Sequence, residues 1–219
     1  MKTALTPSIL TVDDRIITDS THISQRLMEL GISKDALIEV IQAAIGARNN
    51  VTPLHPKSAG GMTAWIEGTY RLRAVSLASG WIPHIQDNIE FIYNEKTQTK
   101  IAYQNAERAG ELNFDPIAAS KKGAGSARAV ASGQWDLFPE SLKEIHERDQ
   151  SKVWYLFVYS DGIEVCAELS CPETIENGEF RGFSQRILLV QPGEWDSLDL
   201  TDDGNGELEL DVSVTRKVN

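Results

Sequence analysis

Three carboxylates, Asp161, Glu164 and Glu168, lie in a stretch that reads as a β-hairpin, and acids projecting from adjacent strands can hold Mg²⁺ against a scissile phosphate. The metal-nuclease pattern also wants an acid-x-Lys on one strand, and Glu168 is instead followed by Leu169 and Ser170. Glu164, Cys166, Glu168 and Ser170 alternate with Val165, Ala167 and Leu169, so the simplest reading is a strand with one solvated face. A second candidate is Lys121-Lys122-Gly123-Ala124-Gly125-Ser126, whose glycines let backbone amides approach an anion beside a helix start. The lysines precede the glycines, so this is neither a Walker A loop nor a dinucleotide fingerprint, and it reads first as a flexible loop with a helix cap. A third, Asp199, Thr201, Asp203 and Gly204, opens like a calcium loop but places Leu210 where a bidentate Glu is required. No Gly-x-Ser-x-Gly elbow occurs, and neither Cys166 nor Cys171 has neighbours that would lower a thiol pKa.

The charge of the chain is divided unevenly. Its 219 residues carry a formal net charge of −11, which argues against a protein that coats nucleic acid or anionic membrane with its whole surface. Residues 48–128 nevertheless hold 10 bases and 7 acids, whereas residues 129–219 hold 7 bases and 19 acids. The basic middle section contains Arg71, Arg73, Arg108, Lys121, Lys122 and Arg128, with Trp81 within it and Trp135 just beyond. Cations interleaved with aromatics are what a site for single-stranded nucleic acid or a nucleotide needs. The acidic last third has the composition of a surface that imitates the charge of DNA, with Asp202, Asp203 and Glu207 as the carboxylates to test, although acidity also serves solubility alone.

These residues must be positioned by an α+β fold, in which N-terminal helices pack on a mostly antiparallel sheet. Ser33 caps a helix whose Ala36, Leu37, Val40, Ile41, Ala44 and Ile45 share one face, ending near Gly46. A shorter helix capped around Ser20 or Thr21 precedes it and stops at Gly31; a third opens at Thr63 and stops at Gly80, after a loop over residues 49–61. Asn88–Tyr93 and Lys100–Tyr103 suggest a hairpin, and the polar stretch 105–126 includes an exposed loop around 121–126. A short helix follows through Ala131, and another starts at Pro139. Val153–Tyr159, the Asp161-Gly162 turn, Ile163–Ser170 and Phe183–Val190 form a three-stranded meander, with Pro172 ending the middle strand and Glu173–Glu179 making a turn around Asn177-Gly178. Alternation at Leu208, Leu210, Val212 and Val214 suggests a final strand. The whole reads as one domain: 20–80 mainly helical, 81–195 sheet-forming with inserted helices, and 196–219 an acidic loop and final strand.

No apolar run approaches the length of a membrane span, and Pro7 with Asp13-Asp14 spoils any signal peptide, so a cytoplasmic location is expected. The odd spacing of the two cysteines puts them on opposite faces of a strand, and four scattered histidines add no zinc pattern, so no disulfide, metal or cofactor is implied.

Several stretches together resemble an uncharacterised bacterial protein family found among prophage, plasmid and other mobile-element genes. They are Pro53-Leu54-His55-Pro56 through Ala64-Trp65, Ser79-Gly80-Trp81, the Lys122-Gly123 turn, Val153-Trp154-Tyr155-Leu156 through Ala167-Glu168-Leu169-Ser170, and Arg186-Ile187-Leu188. The likeness spans residues 35–215, and the family's Lys-Gly-Pro turn stands here as Lys122-Gly123-Ala124. The resemblance implies a role in phage or plasmid conflict with the host, and carries no assigned activity. The expected function is that of a non-enzymatic binding protein engaging a protein partner, alone or within a nucleoprotein complex, with no membrane partner. The alternatives are a metal-dependent enzyme on nucleic acid or nucleotides, with Asp161, Glu164 and Glu168 as ligands and Lys121 or Lys122 at the phosphate, and an acidic DNA mimic.

Overall fold

A computed structural model describes residues 15–132 and 151–196. Three helices come first: α1 (Ser20–Leu30), α2 (Lys34–Asn49) and α3 (Ala59–Ser76), the last continued by a short 3-10 turn. Asp19, not Ser20 or Thr21, caps α1, because its carboxylate accepts from the amides of Thr21 and His22. Gly31 ends the helix in the left-handed region at φ 84°. Ser33 caps α2 as expected, its Oγ accepting from Ala36 N–H at 3.1 Å. Helix α3 starts four residues before the expected Thr63 and takes up Gly60 and Gly61. Its first turns are tied down from outside, since Asn105 Nδ2 donates to the Gly61 carbonyl at 2.7 Å.

The sheet has eight strands: β1 (Ile16–Ile17), β2 (Ile82–Gln86), β3 (Ile89–Asn94), β4 (Thr99–Arg108), β5 (Ile117–Ala118), β6 (Lys152–Ser160), β7 (Val165–Glu176) and β8 (Glu179–Val190). Their order is β1-β8-β7-β6-β4-β3-β2, with β5 paired to the far end of β4. Strands β2, β3 and β4 form one antiparallel meander and β6, β7 and β8 another. The two meanders meet along a single parallel seam between β4 and β6, and β1 adds a short parallel pairing to β8. A parallel seam demands a crossover. The residues that make it include β5 and a fourth helix, α4 (Ala124–Ser132).

Pro172 does not end the middle strand. Strand β7 runs on to Glu176, and the proline sits where its register with β8 shifts between Cys171 and Pro172, a bulge that relieves it of donating to the ladder. The hairpin turns at Asn177-Gly178, as the sequence predicts, both left-handed at φ 53° and 82°. Within the polar stretch 105–126, β4 extends to Arg108 and β5 pairs with it. The helix expected from Pro139 and the strand over 208–214 lie outside the described residues.

The sheet is apolar on both faces. Leu27, Leu37, Val40, Ile41 and Leu72 from the N-terminal helices pack on Ile92, Ile101, Trp154, Leu156, Leu169 and Ile187. The opposite face carries Phe91, Ala102, Tyr155, Phe157, Phe180 and Phe183, closed by Ala129 and Val130 of α4. A glycine lets α3 lie close on β4: a Cβ at Gly68 would stand 2.5 Å from the Tyr103 ring. Among the described residues no helix is long and apolar enough to cross a membrane.

Candidate functional site

The carboxylates singled out from the sequence are not brought together. Asp161 is fully exposed at the β6–β7 turn, where its side chain accepts from the Ile163 and Glu164 amides, both at 2.9 Å, which holds its pKa below the usual carboxylate range. Glu168 lies three residues into β7 and is wholly buried, not part of a solvated face. Its two oxygens accept from Arg186 Nε at 2.9 Å and Nη2 at 2.7 Å, from Ser170 Oγ at 2.6 Å and from Gly110 N–H at 2.8 Å. Arg186 Nη2 also reaches the Glu111 carbonyl at 2.8 Å. This buried pair therefore fastens the loop after β4 to β7 and β8, and it leaves Glu168 no coordination position for a metal. Among the described residues no group of three His, Cys, Asp or Glu side chains could hold a metal ion. The two cysteines are free and buried, and burial pushes the Cys166 thiol up to about 12.

The basic middle section is largely neutralised within the chain. Arg71 pairs with Glu39 at 2.9 Å, Arg73 with Glu90, Arg128 with Asp87, and Arg108 with Glu111 at 3.5 Å. Trp81 is 1% exposed, and its indole N–H donates to the Gly31 carbonyl at 2.7 Å, so it is a core residue and not a stacking platform for bases. Trp135 lies outside the described residues, as do Asp202, Asp203 and Glu207. A continuous basic track with exposed aromatics, expected for single-stranded nucleic acid, is not formed by Arg71, Arg73, Arg108, Arg128 and Trp81.

Lys121 and Lys122 behave differently. Strand β3 accompanies β4 only as far as Ala102, and β5 takes up pairing at Ala106, so this edge of β4 is left open between them. The opening is a cavity of about 200 Å³, lined by Trp65 of α3, Asn88–Glu90 of β3 and its turn, Tyr103 and Gln104 of β4, Lys121–Gly123, Ser126 of α4 and Tyr155 of β6. The lysine-glycine segment is a loop that leads into α4, and it is tied to its surroundings. Lys122 N–H donates to the Gly178 carbonyl at 2.8 Å, Lys122 Nζ donates to Gln104 Oε1, and the ammonium lies 5.8 Å from the centre of the Phe180 ring. Burial lowers the Lys122 pKa to about 8. The hydroxyl of Tyr155, a residue 2% exposed, closes no hydrogen bond; Ser126 is the polar neighbour that acts on it, and burial pushes the phenol's pKa up. Gly125 brings α4 against the β2–β3 turn, since a Cβ there would meet the Asp87 Cβ at 2.7 Å. Gln104 and Tyr155 carried no sequence signal, because the first sits in an ordinary strand and the second in an almost wholly apolar one.

A second feature lies on α3. Its outward side shows Met62, Ile66 and Tyr70 at four-residue spacing, and Leu77 follows in the 3-10 turn, each 48–60% exposed. Beside it α2 and α3 leave a groove floored by Ala43, Gly46 and Ala47 and edged by Thr63, Ile66, Glu67 and Arg71. Small residues on α2 and large apolar ones on α3 make a trough with a charged rim. Neither the sequence nor the structure of the chain brings a known relative to this geometry: no protein-family model, no curated protein and no solved structure matches it.

Proposed function

We propose that the protein is a non-enzymatic binding protein that docks a protein partner on the outward side of α3 and its groove with α2. The observation that carries this reading is the stripe of Met62, Ile66 and Tyr70, exposed one turn apart on α3, with exposed Leu77 in the turn that follows. Contiguous apolar surface with an aromatic at its centre and charge at its rim is the anatomy of a protein interface. The small residues Ala43, Gly46 and Ala47 let a partner's apolar helix approach closely. Nucleic acid fits this surface poorly, because Arg71 is held by Glu39 and Arg73 by Glu90. The occupation of Glu168 by Arg186, Ser170 and Gly110 speaks against the metal-dependent alternative. The resemblance to proteins of mobile elements supports a setting in phage or plasmid conflict with the host, as defence or counter-defence.

The test is affinity capture from nuclease-treated host lysate with the wild-type chain and with the variant Ile66→Asp/Tyr70→Asp, whose fold is checked by circular dichroism. A protein retained by the wild type and lost by the folded variant is the expected result. Equal retention by both, or capture abolished by the nuclease, overturns the docking face. Cleavage of DNA, RNA or nucleotides by the wild type in Mg²⁺ or Mn²⁺ overturns the non-enzymatic reading.

A further inference from the structure

We propose that the cavity at the open edge of β4 binds a phosphoryl oxyanion, held by Lys122 Nζ and the hydroxyls of Tyr155 and Ser126 beside the positive end of α4. Its lining brings together donor side chains from two separate parts of the chain, Lys122 and Ser126 at the start of α4 and Tyr155 of β6. The first intrahelical bond of α4 runs from Ala127 N–H to the Gly123 carbonyl, which leaves the amides of Ala124, Gly125 and Ser126 without helical acceptors at the positive end of the helix dipole. Lys122 uses one donor on Gln104 and has two more. Tyr155 supplies an independent sign of a missing acceptor. A buried hydroxyl without a hydrogen bond is costly, and a phenylalanine would fill the same space without that cost.

The other charges at the site do not oppose an anion. Glu90 lines the cavity but is paired with Arg73, Asp87 at the neighbouring turn is paired with Arg128, and Lys121 adds a positive charge at the mouth. The volume of about 200 Å³ is several times that of a water and accommodates a tetrahedral oxyanion. Trp65, 42% exposed at the rim, is placed to cover whatever the phosphoryl group is attached to. The lowered pKa of Lys122 fits a cation held out of water until an anion joins it.

Calorimetric titration with inorganic phosphate, adenosine monophosphate and acetate tests the site, with Lys122→Met, Tyr155→Phe and Trp65→Ala as variants. The expected result is saturable binding of phosphate with a dissociation constant in the range of about 1 mM or tighter. Lys122→Met should weaken it about tenfold or more through loss of a charge-assisted contact. Tyr155→Phe keeps the packing, and should weaken binding several-fold while the protein remains at least as stable. Tighter binding of the mononucleotide, abolished by Trp65→Ala, identifies a nucleotide as the source of the phosphoryl group; equal binding identifies free phosphate. No saturable binding of either, equal affinity for acetate, or binding untouched by both Lys122→Met and Tyr155→Phe overturns the proposal. Lys122→Met and Tyr155→Phe lie away from the α3 stripe tested above, so each reading can fail without the other.

Discussion

Removing one half of the buried pair between Glu168 and Arg186 should cost the protein a large part of its stability. In Glu168→Ala the guanidinium loses both carboxylate contacts, at 2.9 and 2.7 Å, and keeps only the Glu111 carbonyl at 2.8 Å and a distant Asp115 oxygen at 3.5 Å. The Gly110 amide and the Ser170 hydroxyl lose their acceptor in the same step. An uncompensated charge at a buried site costs about 3–5 kcal/mol, and the retained contact to Glu111 favours the lower half of that range. Against a usual stability of about 5–15 kcal/mol this is about a fifth or more of what is available. Arg186→Met should cost a similar amount, since it leaves a carboxylate that is wholly buried. The double variant Glu168→Leu/Arg186→Met should cost less than the sum of the single changes by about 2 kcal/mol or more, because neither charge is then left behind. Urea unfolding followed by far-ultraviolet circular dichroism and tryptophan fluorescence measures all three against the wild type. A loss below about 1 kcal/mol in Glu168→Ala, the scale of an exposed pair, or strict additivity in the double variant, would refute the account of Glu168 as a buried fastening.

Gly68→Ala should destabilise the protein by about 1–3 kcal/mol despite the better helix propensity of alanine, because the added methyl meets a Tyr103 ring that is 3% exposed; thermal unfolding gives the sign directly. Lys122 binds its proton less tightly when folded, with a pKa of about 8 against an ordinary 10.5. The unfolded chain therefore holds more protons between these values, so stability should rise with pH from about 8 to 10.5, and Lys122→Met should remove that part of the rise in a pH series of urea unfolding curves. Cys166, 2% exposed and with its pKa at about 12, should resist iodoacetamide at pH 8 in the native protein and react once urea unfolds it, as mass spectrometry of the alkylated chain would show.

Much of the fold is written in local patterns. The apolar spacing from Ala36 to Ile45 and the cap at Ser33 identify α2, and the alternation with turn dipeptides around β6, β7 and β8 identifies the second meander. What local patterns lack is knowledge of the second neighbour. Glu168 and Ser170 alternate like a solvated face, yet the loop at Gly110–Glu111 and helix α4 come from far along the chain to cover them. Pro172 reads as a strand end because a bulge is visible only in the partner strand. Trp81 beside a basic section looks like a base-stacking residue until its indole is found bonded to Gly31, fifty residues earlier. The glycines and lysines of 121–126 are legible as an anion-approachable segment, whereas Tyr155 and Gln104, which complete the cavity, come from strands that run side by side only after folding.

The single parallel seam between β4 and β6 also sets an order of assembly. Each meander can zip up from short hairpins with little loop entropy to overcome, over residues 82–108 and 152–190. Joining them requires the intervening chain to close a much longer loop before any seam contact repays it, so the halves are expected to form first and the seam last. Tyr155 lies on that seam, opposite Ala102. The cavity it helps to line does not exist in either half alone, and its appearance marks the arrival of the native state rather than of its parts.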